Sequence, residues 1–344
     1  MRNRYKRDVN RLIDHPRRKD APRDLRNPGP LDGVFSSAKG LPRQPPPPYK
    51  RVTLAAGQDH FVCVMDDGSL YVSGYYDFYG VMSDKPAGTD FVSVAAGNFG
   101  AMALKQDGSV VVWGDTDYDG GQTGTPGAAV YGIRDVPAGL VAKDIAMSMQ
   151  SAAAIMPDGE IIVWGGDNEG EITNKPSGTG WKTIMGADFN FIAVHDDGSV
   201  ATWGYVPTGG DITPPVGLDN CVMAWAADRY FWALKADDTF VGWATEANTY
   251  PGDPTMLNPI WIRAGVTAFN AVAIDRDGNL EQFGTDTYST GVLIDQGITD
   301  AVIGDTTINL QMAVRVDGTF SWWGDTSNLT APSGKVKLPT FGWI

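Results

Sequence analysis

Cysteine and histidine are scarce in this 344-residue chain: Cys63 and Cys221 are its cysteines, and His15, His60 and His195 its histidines. Two cysteines make no disulfide framework and no cysteine-based metal site. Three scattered histidines build no His-Glu-x-x-His motif, and Gly-x-Ser-x-Gly and the Gly-rich phosphate loop are missing too. Carboxylates are plentiful, but nothing in their spacing singles out a catalytic pair. We therefore expect no catalytic residue, no cofactor and no metal, and read the chain as non-enzymatic. Apolar runs are short. None approaches 18 residues, so no membrane span is expected. The Arg-rich start lacks the apolar run of a secretory signal.

Glycine is abundant, with 42 residues, and charge is divided unevenly. Residues 1–50 hold 13 Lys and Arg against 5 Asp, a local charge of +8 within a chain of net −14. The remaining residues carry −22. The chain reads as an acidic body with a basic arm.

The arm, residues 1–50, is expected to be extended. Val9, Leu12 and Ile13 could share one face of a short helix, ringed by Arg2, Arg4, Lys6, Arg7 and Arg11, with Arg17 and Arg18 just beyond. Pro16 ends that helix, and Pro22, Pro28, Pro30, Pro42 and the run Pro45–Pro48 follow. Such a segment makes no core of its own and favours polyproline-like conformations. It reads either as a solvated spacer or as a docking arm whose basic residues meet other subunits of an assembly. Nucleic-acid binding is disfavoured, because aromatics are sparse in the arm and the acidic body repels phosphate.

From residue 51 onward the chain repeats one hairpin. An apolar strand runs into Asp-Gly, and a second apolar strand runs out to Trp-Gly, as in Ala101 to Gly114. Asp-Gly between two such runs is a strong hairpin signal, because Gly takes positive φ freely. The turns fall at Asp67, Asp107, Asp158, Asp197, Asp237, Asp277 and Asp317, a period near 40 with one repeat about eleven residues longer. That period predicts propeller blades. Four residues before each turn Asp stands Ala103, Ala154, Ala193, Ala233, Ala273 or Ala313, with Cys63 in the first repeat. A small residue at that place predicts tight packing near the ring centre, and Cys63 reads as a buried stand-in for Ala. The fold class predicted is all-β: a seven-bladed β-propeller of four-stranded blades over residues 51–344, preceded by the basic, proline-rich arm. Val336-Lys-Leu338 looks like the first strand of an eighth, uncompleted unit that pairs beside an end blade and helps lock the ring.

The repeat resembles the regulator-of-chromosome-condensation (RCC1) repeat family. Val92-Ser-Val-Ala-Ala-Gly97, Trp113-Gly114 and Trp164-Gly-Gly-Asp-Asn168-Glu-Gly170-Glu171 carry the resemblance. The links Pro86-Ala-Gly88, Pro137-Ala-Gly139 and Pro176-Ser-Gly178 are similar to its bacterial branch, which includes a β-lactamase-inhibiting propeller. The resemblance implies the fold. It permits a regulatory propeller that binds one soluble partner, such as an enzyme inhibitor or a small-GTPase regulator, and transfers no functional residues.

Blade geometry places the first and third connections of every blade on the face opposite the Asp-Gly turns. That face combines aromatic and acidic residues. Tyr75, Tyr76, Phe78, Tyr79, Asp117, Tyr118, Asp119, Arg229, Tyr230 and Tyr288 are the candidate partner-binding residues on it, since loop aromatics offer contact area at low entropic cost. Asp115-Thr-Asp117-Tyr-Asp119-Gly120 has the alternating carboxylates of a calcium loop, but its twelfth position is Pro126 and no helices flank it. We read it as an acidic loop. The leading functional expectation is an arm-anchored binding protein of a large assembly, a bacteriophage virion surface component such as a capsid decoration or tail fibre. A cytoplasmic location goes with the regulatory alternative.

Overall fold

A computed structural model describes residues 50–77, 80–98, 100–114, 132–208, 210–227, 230–244, 253–256, 259–264, 270–284, 297–307, 310–327 and 329–340. Among the described residues every regular element is a strand. They form seven antiparallel sheets, each consecutive in sequence: Leu54–Gly74, Phe91–Gly114, Asp144–Gly165, Trp181–Gly204, Cys221–Ala244, Pro259–Gly284 and Ala301–Gly324. The innermost strands touch their neighbours in order, and blade 7 touches blade 1, so the ring is closed.

The middle strand of each blade carries the small residue read from the repeat. Cys63, Ala103, Ala154, Ala193, Ala233, Ala273 and Ala313 are buried and lie opposite Leu54, Val94, Ile145, Ile184, Ala224, Ile262 and Gly304 of the inner strand. Burial pushes the Cys63 thiol upward from its ordinary pKa, so it stays protonated and inert.

The hairpin turns are built by their aspartates. Asp67 Oδ1 accepts the Ser69 amide at 2.9 Å and the Ser69 hydroxyl at 2.6 Å, and Asp107, Asp158, Asp197, Asp237 and Asp317 each accept the amide two residues on. The glycine that follows takes φ near +80 to +90°. It also docks the turn on the next blade: the carbonyls of Gly68, Gly108, Gly159, Gly198, Gly278 and Gly318 accept amides from Phe91, Ala142, Trp181, Cys221, Ala301 and Val336. At Gly159 a Cβ would lie 2.3 Å from the Gly180 amide nitrogen, so both φ and space require glycine. Repeat 5 has Asp238 there, at φ +67°, and its carboxylate pairs with Arg276. The left-handed conformation costs Asp238 about 1–2 kcal/mol.

The expectation of a four-stranded blade is corrected: each described sheet has three strands. Among the described residues, the links after the outer strands of blades 1 and 3 fold on their own side chains instead of forming a ladder. Asp77 accepts the Met82 and Ser83 amides, and Asp167 accepts those of Ile172 and Thr173. Four links are fastened by indoles. Trp113, Trp164, Trp203 and Trp243 Nε1 donate to the carbonyls of Val81, Ile133, Glu171 and Ile212, at 2.8 to 3.4 Å. Gly, Pro and Asp suit such links poorly for a strand, and the indole N–H supplies the missing tie. Blade 1 has Ser73 in place of Trp, and its hydroxyl accepts the Thr330 amide from the link after blade 7.

Closure is sharper than the eighth-unit reading anticipated. Five other blades begin with a bulge: Phe91 pairs with Lys105, and the ladder resumes at Ser93 with Leu104, and likewise at Trp181, Cys221, Pro259 and Ala301. In blade 1 the chain is interrupted at that bulge. Val336 bridges Met65, and Lys337 donates to the Val64 carbonyl. The ladder then resumes on the other segment, where Val64 donates to Thr53. One inner strand is thus assembled from two distant pieces of chain. Phe61 stacks on Phe320 at 5.2 Å across the same seam.

Candidate binding face and ring axis

The three described residues of the sequence-predicted face, Tyr75, Tyr76 and Tyr230, stand on two different blades. Tyr75 and Tyr76 follow the outer strand of blade 1. The Tyr75 hydroxyl donates to the Asp325 carbonyl of the blade 7 link, and burial, then Asp325 and Asp59, raise its pKa. Tyr76 is 64% exposed. Tyr230 starts the middle strand of blade 5, where its hydroxyl donates to Asp253 Oδ1 at 3.1 Å and its ring lies 5.1 Å from that of Trp232. Burial and the Asp253 charge push its phenol up to about 12. Three blades separate the two patches going one way round the ring and two going the other, so Tyr230 does not join the Tyr75–Tyr76 patch. Phe78, Tyr79, Asp117, Tyr118, Asp119, Arg229 and Tyr288 lie outside the described residues, as do the arm residues Arg2, Arg4, Lys6, Arg7, Arg11, Arg17 and Arg18.

Several acidic residues of this face are spent on the fold. Asp77 and Asp167 organise their links as described. Glu171 is buried, accepts Gln150 Nε2 at 2.8 Å and the Glu169 amide at 3.0 Å, and burial raises its pKa. Asp59 is raised by burial as well. Of the predicted partner-binding residues that are described, Tyr76 is the one that stands well into solvent.

The charge that sequence reading missed sits at the axis. The inner strands of blades 1 to 3 present Ala55, Ala95 and Ala146 at one register position. Blades 6 and 7 present Arg263 and Asp305 there. Both are buried, and Arg263 Nε donates to Asp305 Oδ2 at 3.1 Å. Arg263 Nη1 reaches the Gly186 carbonyl of blade 4 at 3.2 Å, while the Ala56 and Thr306 amides donate to Asp305. Burial holds the Asp305 carboxyl up to about 6 despite Arg263. On the blade 3 and 4 side, Lys50 Nζ lies 3.1 Å from Asp144 Oδ2 and donates to the Ile184 carbonyl at 2.6 Å. Burial lowers the Lys50 ammonium and raises the Asp144 carboxyl from their ordinary values. Arg263 and Lys50 are both buried among the inner strands, so the ring carries a polar, charged core beside its apolar one. A charged residue where the other five blades have Ala55, Ala95, Ala146, Met185 and Trp225 was the available signal for Arg263 and Asp305. Lys50 gave none, since its partners lie 94 to 135 positions away.

His60 begins the middle strand of blade 1, at the seam with blade 2. It is buried against Gly57, and burial holds its imidazole at about 4. Half-buried His195 places Nδ1 3.0 Å from Oδ1 of Asp197 in its own turn. Among the described residues no group of three or more His, Cys, Asp or Glu is placed to hold a metal, and no helix is long and apolar enough to cross a membrane.

The regulator of chromosome condensation (RCC1) repeat matches the chain over residues 91–120, the second blade. No curated protein matches the sequence. Among solved structures, the entire ectodomain of the Physcomitrella patens receptor kinase CR4 is 14% identical, with 83% of this chain and 76% of that chain covered and a TM-score of 0.58. Prp20p from Saccharomyces cerevisiae, described with its binding properties to Gsp1p and histones, is 14% identical over 84% of this chain and 87% of its own, with a TM-score of 0.55. Yeast RCC1 (Prp20) bound to Kap60 gives 14%, 88%, 89% and 0.54. These likenesses concern the fold.

Proposed function

We propose that this RCC1-like propeller is a non-enzymatic binding module held in a large assembly by its basic arm. The observation that carries this reading is the division of charge: a proline-rich arm of +8 joined to a body of −22, with 13 basic residues in the first 50. The arm offers cations to other subunits, and the ring supplies a rigid body. The setting we propose is the surface of a bacteriophage virion, as capsid decoration or tail fibre, with Tyr76 and its neighbours turned to a receptor or protein ligand.

The test is a truncation lacking residues 1–43, which keeps Lys50. We expect it to fold and to leave the high-mass particle with which the full chain co-purifies. A truncated propeller that still enters the particle defeats the reading.

A second reading is favoured by the likeness to yeast RCC1 bound to Kap60. In it the propeller binds one soluble protein partner through its loop face, as a regulator. Stoichiometric capture of a single soluble protein, unchanged by the truncation and lost with Tyr76→Ala, would select it.

A further inference from the structure

We infer that Lys50 is a fixed part of the ring, so that the chain enters the propeller at an anchored point and not through a loose hinge. The inference deepens the arm-anchored reading, but it rests on the ring alone and its test needs no partner.

Lys50 adjoins the last residues of the proline run, where composition predicts a loose connector. The structure places it in the least exposed part of the molecule: Lys50 is among the largest fully buried side chains, with Trp225, Trp232 and Trp261. An ammonium has three protons. Asp144 Oδ2 at 3.1 Å, the Ile184 carbonyl at 2.6 Å and Met185 Sδ at 3.0 Å surround it. The Ile184 amide donates to the same Oδ2 and the Ile145 amide to Oδ1, each at 3.0 Å, so the acceptor is itself fixed. Arg51 continues the root. Its amide donates to Thr340 at 2.6 Å, its carbonyl accepts from Thr340 at 3.1 Å, and its guanidinium reaches the Lys143 carbonyl at 2.7 Å. Two consecutive residues thus engage blade 3, blade 4 and the closing segment after blade 7. Withdrawing Lys50 would leave Asp144 buried and unpaired, which opposes any hinge at this point.

The test is limited trypsin digestion of the full-length protein, with product termini read by intact mass. Cleavage after Lys50 or Arg51 needs that segment to leave the ring. We expect no product beginning at Arg51 or Val52 while the ring persists. Such a product from the wild type overturns the inference. In Asp144→Asn, cleavage at these bonds should rise by at least about tenfold. A folded Asp144→Asn protein that resists as the wild type does also overturns it. If that variant fails to fold, Lys50→Met keeps the stem's volume and is read at the bond after Arg51, with the same expectation. Failure of the particle-binding reading would leave these results unchanged, so the two are separable.

Discussion

The ring axis and the loop face use similar residue types in opposite ways. At the axis, Lys50, Asp144, Arg263 and Asp305 are buried, each with named partners in other blades. On the loop face, Tyr75 and Tyr230 are tethered by their hydroxyls, and Tyr76 is left exposed. A buried charge is held in place by the large penalty of losing one partner, whereas an exposed ring contributes little to stability and is available for binding. The contrast separates residues that hold the ring from residues that can recognise something.

The largest effect should come from breaking the axis. Asp305→Ala leaves Arg263 buried without its carboxylate and removes the acceptor of the Ala56 amide, which ties blade 7 to blade 1. We expect a loss of about 3–5 kcal/mol in urea unfolding. A loss below about 1 kcal/mol would mean that the axis is solvated and that the contrast with the loop face is false.

A second experiment sharpens the same contrast through pH. The folded value of His60 lies below its ordinary 6.5, at about 4. The unfolded chain therefore takes up the proton first, and stability is lost as pH falls from about 6.5 toward 4. Asp305 lies above its ordinary 3.8, at about 6, so its contribution is fully present below 3.8 and is lost as pH rises toward 6. The two slopes oppose each other over nearly one window, each on the order of 3 kcal/mol. His60→Gln should become more stable relative to wild type on acidification from pH 6.5 to 4. Asp305→Asn should show the reverse. Parallel melting curves for the three proteins across that range would refute both assignments.

Much of the fold was legible because it is written seven times. The Asp-Gly turn, the small residue on the middle strand and the Trp before Gly each recur, so their spacing alone predicts a ring. Two things were hidden by physics that spacing does not carry. Among the described residues the links after blades 1 and 3 form no fourth strand, because Asp77 and Asp167 satisfy link amides with side chains and indoles tie the links down. The axial pairs join residues far apart in sequence, and only the charge of Arg263 and Asp305, where the other blades have uncharged residues, was visible in advance. The candidate face was legible in composition but not in exposure: nothing in the run Tyr75-Tyr76 says which ring is tied to Asp325.

A smaller effect is expected at repeat 5, where one repeat departs from the rest. Asp238→Gly removes a left-handed Asp at φ +67° and gives up the pairing with Arg276, which is partly exposed. Relief of about 1–2 kcal/mol outweighs an ion pair worth about 0–1, so the variant should gain up to about 1 kcal/mol. A clear loss would show that the Arg276 pair replaces the turn-to-blade contact made elsewhere by glycine.

The smallest effect on stability is expected where the largest effect on function is proposed. Tyr76→Ala removes a ring that is 64% exposed, so unfolding should change by no more than about 0.5 kcal/mol. Tyr75→Phe removes a hydroxyl bound to the Asp325 carbonyl and should cost about 1 kcal/mol. Measured side by side, the two substitutions separate recognition from support within one pair of adjacent tyrosines. If Tyr76→Ala destabilised the ring more than Tyr75→Phe did, Tyr76 would belong with the axis as a structural residue, and the loop face would lose its most exposed described aromatic.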